Sequence, residues 1–176
     1  MAPRIVRLFQ YGSNMDPERL NGPKRLNGAA HAPVVVRIGG WGVRFDLHSV
    51  DNECGVTDIV PKRAEHVVGV LYEVPYRLVV APRGQRSKMD EIEGAGLGKK
   101  SNYKRIKILV RRKRAAIKAL TYVGTATGRK RFFQKPPAER RVSRKYFNHL
   151  LAGARKFKFP PGYVAYLRRK AGELKE

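Results

Sequence analysis

The sequence of 176 residues contains one cysteine, four histidines and one tryptophan, and acidic residues are scarce. Because Cys54 stands alone, an internal disulfide is excluded. The histidines show neither an HExxH motif nor a Cys/His spacing typical of zinc, so no structural metal is expected. No apolar run approaches the ~20 residues that span a bilayer, and the N-terminal run is too short for a secretory signal. We therefore expect a cytoplasmic protein with a reduced cysteine and no membrane partner.

Length and apolar content favour one folded domain. Hydrophobic residues make up 42% of the chain and charged residues 30%, which supplies enough apolar material for a core and does not fit a wholly disordered protein. A chain of this length falls within the usual size of one domain. The sequence therefore predicts a single domain over residues 1–176.

The scarcity of acidic residues leaves a strong positive charge that is unevenly placed. The chain has 38 Lys and Arg against 14 Asp and Glu, a formal net charge of +24. Residues 1–60 contribute +1, residues 61–100 contribute +3 and residues 101–176 contribute +20. Net charge bears on solubility and partners and says little about fold. The C-terminal part, residues 101–176, is thus expected to carry a strongly basic surface.

The distribution of β-rich and helix-forming segments predicts an α+β fold with a curled or closed sheet. Strands are predicted over residues 4–11, 33–38, 41–47, 55–60, 66–74, 103–110 and 115–123, with Gly39-Gly40 as a hairpin turn. Short helices are predicted after Asp16, from Ser87 to a C-cap at Gly94, from Ser143 to about residue 155, and after Pro160. Residues 124–142 show little periodicity, which predicts a long surface loop.

The segment Tyr11-Gly12-Ser13-Asn14-Met15 joins the first predicted strand to the first predicted helix. Backbone N–H groups in such a glycine loop point outward, and together with a helix N-terminus they attract a carboxylate. The alternative is an ordinary tight turn, in which Gly12 serves only its φ angle and Ser13 or Asn14 bonds locally. The segment by itself favours the tight turn.

Three motifs, taken in their order along the chain, favour the ligand-binding interpretation of this segment over the tight turn. They are residues 9–15 (Phe-Gln-Tyr-Gly-Ser-Asn-Met), the stretch from Gly69 to Val74 leading to Met89-Asp90-Glu91-Ile92-Glu93-Gly94, and Tyr103-Lys104-Arg105 before a strand ending at Val123. In this order and spacing they resemble the gamma-glutamylcyclotransferase (AIG2-like) family, over about residues 7–168. Gly153-Ala154, Pro160 and Tyr163 also resemble the family's C-terminal part. The resemblance implies a small mixed β-barrel with flanking helices.

The resemblance also implies a reaction and a set of site residues. Family members cyclise a γ-glutamyl group to 5-oxoproline and release an amine or peptide, without metal or other cofactor. By position Glu93 corresponds to the catalytic acid/base, and the substrate-binding residues correspond to Tyr11, Gly12, Ser13, Asn14, Met15 and Tyr103. One carboxyl group can take a proton from the α-ammonium and give one to the leaving amine if burial raises its pKa. The alternative for Glu93 is a solvated residue at a helix end, where the negative end of the helix dipole disfavours it.

Two further expectations concern the surroundings of this site. The stretch from Pro75 to Lys88 is longer and more broken than the family's approach to its acidic helix, which puts turnover in doubt more than fold. Tyr146 and Tyr163 have a spacing that suits either the cavity wall or ordinary core packing, and core packing is favoured.

The basic C-terminal part leaves two interpretations open. Phe132, Phe133, Phe157 and Phe159 lie among clusters of Arg and Lys, a composition used by sites for single-stranded nucleic acid, so a catalytically idle family member that binds nucleic acid or an acidic partner is the alternative function. The other interpretation is a solvated basic face. In either case the positive field favours an anionic γ-glutamyl substrate, such as a glutathione-like peptide, over a polycationic one.

Overall fold

Five strands close into a barrel in the computed structural model, which describes residues 4–172. The strands are β1 (Ile5–Gln10), β2 (His31–Ser49), β3 (Cys54–Pro75), β4 (Tyr103–Arg112) and β5 (Ala115–Gly124), in the order β1-β3-β2-β4-β5. Neighbours along that order are antiparallel, whereas β1 and β5 are parallel. The predicted α+β fold with a small mixed barrel is confirmed.

The barrel consists of two parts joined at two narrow seams. β1, β3 and β2 form one sheet, and β4 and β5 form a hairpin with ten paired positions. One backbone pair, Leu8–Leu120, joins β1 to β5, and one pair, Arg37–Arg111, joins β2 to β4. The hairpin is therefore tied to the larger sheet by few backbone contacts.

The predicted hairpin turn at Gly39-Gly40 is wrong. Both glycines lie inside β2, where the register with β3 shifts between Gly39 and Trp41 and Gly40 has a φ of +77°. Such an irregularity bends a long strand without ending it, and glycine accepts the left-handed conformation without strain. The reversal of the chain occurs instead over residues 50–53, where Glu53 takes the left-handed conformation. Four predicted strands thus merge into β2 and β3.

Seven helices flank the barrel within residues 4–172. They are α1 (Pro17–Leu20), α2 (Tyr76–Val79), α3 (Lys88–Glu93), α4 (Ala126–Phe133), α5 (Pro137–Arg140), α6 (Arg144–Lys156) and α7 (Pro161–Gly172). The predicted N-caps Asp16, Ser87 and Ser143 each accept a hydrogen bond from a backbone N–H of the first turn. The C-cap at Gly94 is left-handed, with a φ of 65°. These boundaries agree with the sequence prediction.

The prediction of a long loop over residues 124–142 is wrong, because α4 and α5 lie within it. Thr125 caps α4 by accepting a hydrogen bond from the N–H of Gly128. Phe132 is fully buried and anchors the helix, while Phe133 beside it is 57% exposed. A helix with so few buried side chains gives almost no periodic signal in the sequence.

A single cluster of buried side chains fills the barrel and extends beneath the helices, from Leu8 in β1 to Leu167 in α7. Cys54 is a buried, free thiol within it. Among residues 4–172 no helix is long and apolar enough to cross a bilayer. The same residues contain no group of three or more His, Cys, Asp or Glu side chains arranged to hold a metal ion.

Candidate active site

A polar cavity of about 250 Å³ opens where β1 ends, bounded by the turn after β1, the C-terminal end of α3 and the β2–β3 turn. Residues that line it include Tyr11, Gly12, Ser13, Asn14, Arg19, Arg25, Thr57, Glu93, Tyr103, Tyr122 and Tyr146. The cavity brings together residues that are up to 136 positions apart in the chain, from Gln10 to Tyr146. Its walls combine carboxylate, guanidinium, phenol and backbone amide groups.

The turn after β1 presents unpaired backbone donors to this cavity. The N–H of Met15 donates to the carbonyl of Gly12 at 3.0 Å, which closes a short 3-10 turn over Ser13–Met15. Within residues 4–172 the N–H groups of Gly12, Ser13 and Asn14 have no hydrogen-bond acceptor. Because free N–H groups at the start of a helical turn attract negative oxygen, this segment is suited to hold an oxyanion or a carboxylate.

Glycine is needed at position 12 because there is no room for a side chain, and not because of the backbone angle. Its φ of −108° is open to any residue, so the predicted alternative, a glycine placed for φ, does not apply. A Cβ at this position would lie 2.3 Å from Oγ1 of Thr57 and 3.5 Å from the hydroxyl of Tyr146. The absence of a side chain therefore lets the turn approach the opposite wall of the cavity.

Met15, predicted as a substrate-binding residue, is not among the residues that line the cavity. Its side chain is fully buried and is packed against α6, where a Cβ on Gly153 would lie 2.9 Å from Cβ of Met15. Its carbonyl accepts a hydrogen bond from the hydroxyl of Tyr72 at 2.7 Å. The buried side chain of Met15 therefore anchors the 3-10 turn to the core.

Glu93, the last residue of α3, carries the carboxylate of the site. Nδ2 of Asn14 donates a hydrogen bond to its Oε1 at 2.9 Å. Burial raises the pKa of Glu93, and the hydrogen bond from Asn14 and the charge of Arg25 offset only part of this effect. The residue is half-buried in the cavity wall, so the predicted alternative of a solvated helix end does not hold. The unusual stretch before α3 has not displaced Glu93 from contact with the turn after β1.

Two arginines of the site were missed by the sequence interpretation. Arg25 donates from Nη1 to Oδ1 of Asn14 at 2.7 Å, and Arg19 donates from Nε to the hydroxyl of Ser13 at 3.2 Å. Both line the cavity. The available signal was the repeated tetrapeptide Arg-Leu-Asn-Gly at residues 19–22 and 25–28, which places an arginine twice in the loop after the glycine turn.

Three tyrosines, Tyr11, Tyr103 and Tyr146, form another part of the cavity wall. The hydroxyl of Tyr11 donates to the carbonyl of Tyr122 at 2.6 Å, and that of Tyr103 donates to the carbonyl of Thr57 at 2.5 Å. The hydroxyl of Tyr146 lies 2.7 Å from Oγ1 of Thr57. Burial, followed by nearby carboxylates and phenols, raises the pKa of Tyr11 and Tyr103, so both are neutral phenols at neutral pH.

For Tyr146 and Tyr163 the sequence favoured core packing over a position in the cavity wall, and this is correct for Tyr163 only. Tyr146 is buried but also lines the cavity, so it belongs to the site. Tyr163 packs instead against His66 and Tyr166, with ring centroids 6.1 and 5.5 Å away. The period of a helix does not distinguish these surroundings, because both residues face inward from α6 and α7.

A buried ionic cluster holds α3 in place. Asp90 accepts hydrogen bonds from the backbone N–H of Ser87, the hydroxyl of Tyr122 and Nη1 of Arg105, at 2.9, 2.8 and 3.0 Å. Burial raises the pKa of Asp90, but these hydrogen bonds and the charge of Arg105 outweigh it, so the pKa lies below its usual value. The cluster ties the helix that carries Glu93 to β4 and β5.

Comparison with known proteins fits this geometry. The model of the AIG2-like family matches residues 66–167, more than half of the chain. The chain belongs to the AIG2-like family. Glu93, Tyr103 and Tyr146 lie within the matched segment of this AIG2-like chain, and the turn after β1 lies before it. A search of curated protein sequences finds no significant match.

Solved structures share the fold of the AIG2-like chain at low sequence identity. A structure described as gamma-glutamyl cyclotransferase is 20% identical, with 94% of this chain and 87% of that one covered and a TM-score of 0.70. A yeast gamma-glutamyl cyclotransferase specific to glutathione is 12% identical, with 98% and 97% covered and a TM-score of 0.61. YkqA from Bacillus subtilis is 22% identical, with 98% and 56% covered and a TM-score of 0.73. These likenesses establish the fold.

The basic residues in the C-terminal part of the AIG2-like chain include some that are paired inside the fold and others that are exposed. Arg105 pairs with Asp90, and Arg129 donates from Nε to the buried Oδ2 of Asp58 at 2.9 Å, so these arginines belong to the folded framework. Arg111–Arg114 are all exposed at the β4–β5 turn. Of the four phenylalanines, Phe132 and Phe159 are buried, which removes them from any stacking surface.

Proposed function

We propose that the chain is a gamma-glutamylcyclotransferase, which converts a γ-glutamyl amine or peptide into 5-oxoproline and the free amine. The observation that carries this proposal is the cavity in which the Glu93 carboxylate lies beside the turn with the free N–H groups of Gly12, Ser13 and Asn14. Family membership and the shared fold support it. No cofactor is needed for this chemistry.

Glu93 serves as the general base and then the general acid. Its carboxylate takes a proton from the α-ammonium of the γ-glutamyl group, and the freed amine attacks the γ-carbonyl carbon. The new C–N bond closes the five-membered ring, and the carbonyl oxygen becomes an oxyanion. The protonated Glu93 then gives its proton to the departing nitrogen as the oxyanion re-forms the carbonyl and the old C–N bond breaks. The ring nitrogen still carries an extra proton, which passes to the released amine, so the products are the neutral lactam and an ammonium ion. A carboxyl whose pKa is raised by burial is suited to both transfers.

The turn after β1 supplies the donors for substrate oxygens. The free N–H groups of Gly12, Ser13 and Asn14 bind the oxyanion or the α-carboxylate, and such fixed donors contribute strongly to acyl transfer. Tyr11 and Tyr103 line the pocket as neutral phenols. Arg19 and Arg25 add positive charge at the same wall, which suits a substrate that carries carboxylates.

The experiment measures 5-oxoproline released from a panel of γ-glutamyl compounds. The panel includes glutathione, a γ-glutamyl dipeptide with an acidic second residue, a neutral γ-glutamyl amide and a γ-glutamyl polyamine, with the α-glutamyl isomers as controls. We expect release from γ-glutamyl compounds only, with anionic ones preferred. Absence of release from every γ-glutamyl compound contradicts the proposal.

The alternative function is that of a catalytically idle family member that binds nucleic acid or another polyanion through the basic C-terminal part. The exposed cluster Arg111–Arg114 supports it. This alternative predicts a mobility shift with oligonucleotides that weakens steeply with salt, survives Glu93→Gln and is lost when the charges of Arg111–Arg114 are reversed. No shift near physiological salt eliminates the alternative.

A further inference from the structure

A second concave surface lies on the far side of β1, outside the candidate active site. We name it the barrel-seam groove; it runs between β1 and the β4–β5 hairpin and has a volume of about 1040 Å³. The residues that matter for its chemistry are Ile5, Arg7, Lys107, Leu109, Lys118 and Leu120. None of them lines the active-site cavity, so the proposed reaction leaves this groove without a role.

The groove exposes apolar side chains that the fold does not require at the surface. Leu109 is 62% exposed and Ile5 is 44% exposed, and Leu120 also lines the groove. Scattered exposed apolar residues are ordinary, but their convergence in one concave surface with a polar rim is typical of an interaction site. The groove therefore offers alternating apolar positions to a partner.

The rim of the groove is strongly basic. Five of its lining residues are Arg or Lys, and Glu73 is its one acidic lining residue. Arg7, Lys107 and Lys118 are exposed and form no salt bridge with any side chain of residues 4–172, whereas Arg105 is already paired with Asp90. Three cations thus remain available for an acidic partner.

The backbone beside the groove is also open. Leu8–Leu120 is the one backbone pair between β1 and β5 among residues 4–172, although β5 begins five positions earlier, at Ala115. Within residues 4–172, the β1-facing edge of β5 from Ala115 to Lys118 therefore has no strand partner. Strand edges of this kind accept an added extended segment, with pockets for its alternate side chains.

We propose that the barrel-seam groove binds an extended acidic segment of a partner protein, in which acidic and aliphatic residues alternate. The acidic side chains meet Arg7, Lys107 and Lys118, and the aliphatic ones meet Ile5 and Leu109. A second copy of this chain is disfavoured because each copy carries a net charge of +24. Nucleic acid is disfavoured because the one aromatic ring of the groove, Tyr76, is already covered by the guanidinium of Arg4 at 4.1 Å.

The test is fluorescence anisotropy of the full-length protein with a labelled peptide of about ten residues that alternates Glu with Leu or Val, a length that spans ~33 Å when extended. Lys107→Glu combined with Lys118→Glu is expected to weaken binding at least about tenfold. Leu109→Ser is expected to weaken it by about threefold to tenfold. All three positions are exposed, so the substitutions leave the fold intact, and 5-oxoproline release stays at the level of the unmodified protein.

Matched controls separate the groove from the overall charge. Arg83→Glu combined with Arg168→Glu makes the same charge change at exposed positions elsewhere, and Leu97→Ser removes an exposed leucine outside the groove; both are expected to retain binding within about twofold. A peptide with Ser in place of Leu and Val, and an oligothymidylate of equal charge, are expected to bind at least about tenfold more weakly. The proposal is overturned if the groove and control variants lose affinity equally, or if the oligothymidylate binds as tightly as the peptide.

Discussion

At the scale of single residues, the catalytic role proposed for Glu93 has a cost in stability. Burial raises its pKa above that of the unfolded chain, so the ionised carboxylate is less favourable in the folded protein than in water. The free energy of unfolding therefore falls as the pH rises from the unfolded pKa of Glu93 through its raised folded pKa. Above its raised folded pKa, Glu93 carries a charge that the fold disfavours.

Replacement of this carboxyl by a neutral isostere is expected to stabilise the protein. Glu93→Gln keeps an oxygen acceptor for Nδ2 of Asn14 and removes the disfavoured charge, so its Tm at pH 8 is expected to lie about 2–4 °C above that of the unmodified protein. The gain disappears near pH 4, where Glu93 is protonated. Differential scanning calorimetry at both pH values checks this, with the exposed Glu18→Gln as the control. A Tm at pH 8 that is lower than that of the unmodified protein contradicts the account.

At the scale of elements, the position of α3 is stabilised mainly by the contacts of Asp90. The helix has only six residues, too few to be stable alone, and is fixed by the contacts of Asp90 with Ser87, Arg105 and Tyr122. The low pKa of Asp90 means that these contacts stabilise the fold above its unfolded pKa and are lost as the pH falls through its folded pKa.

Asp90→Asn is expected to lower the free energy of unfolding by about 1–3 kcal/mol at pH 7 and to lower kcat, because Glu93 loses its fixed support. The difference in stability from the unmodified protein should shrink as the pH falls below 4. Urea unfolding at pH 7 and pH 3, together with 5-oxoproline release, measures both effects. Glu91→Gln, which alters an exposed pair with Lys88, is expected to change stability by no more than about 0.5 kcal/mol. Equal effects of the two substitutions contradict the assigned role of Asp90.

Local signals in the sequence predicted the elements that depend on local chemistry. The caps Asp16, Ser87 and Ser143 and the left-handed Gly94 mark helix ends correctly because their effect spans only a few residues. The prediction of a hairpin turn at Gly39-Gly40 was wrong because a pair of glycines occurs in bent strands as well as in turns. Residues brought together only by the closed barrel, such as Arg105 and Tyr122 around Asp90, were beyond prediction from spacing. Spacing also could not show that the side chain of Met15 packs in the core and does not line the cavity.

At the scale of the whole molecule, the net charge of +24 acts on substrate as a long-range field. Part of the basic C-terminal part is consumed inside the fold, as with Arg129 and the buried Asp58, but most of it faces solvent. Exposed positive charge accelerates the encounter with anions, and salt screens this effect over a Debye length of about 8–10 Å at physiological ionic strength. We therefore expect the field to favour anionic γ-glutamyl compounds over neutral ones.

For an anionic substrate such as glutathione, kcat/KM is expected to fall about threefold to tenfold between 50 and 500 mM NaCl. For a neutral γ-glutamyl amide it is expected to change by less than about twofold, because no net charge is steered. Initial rates at low substrate concentration measure both. The same salt dependence for the two substrates contradicts selection by the field.

In the proposed mechanism the Glu93 carboxyl transfers the protons of the cyclisation. The most direct measurement is kcat for 5-oxoproline release by Glu93→Gln, on the best γ-glutamyl substrate, beside the matched control Glu18→Gln. The account predicts a loss of about 10²–10⁴-fold for Glu93→Gln, in a protein that remains folded, and no more than about a twofold change for the control. Equal kcat values for Glu93→Gln and the unmodified protein contradict it.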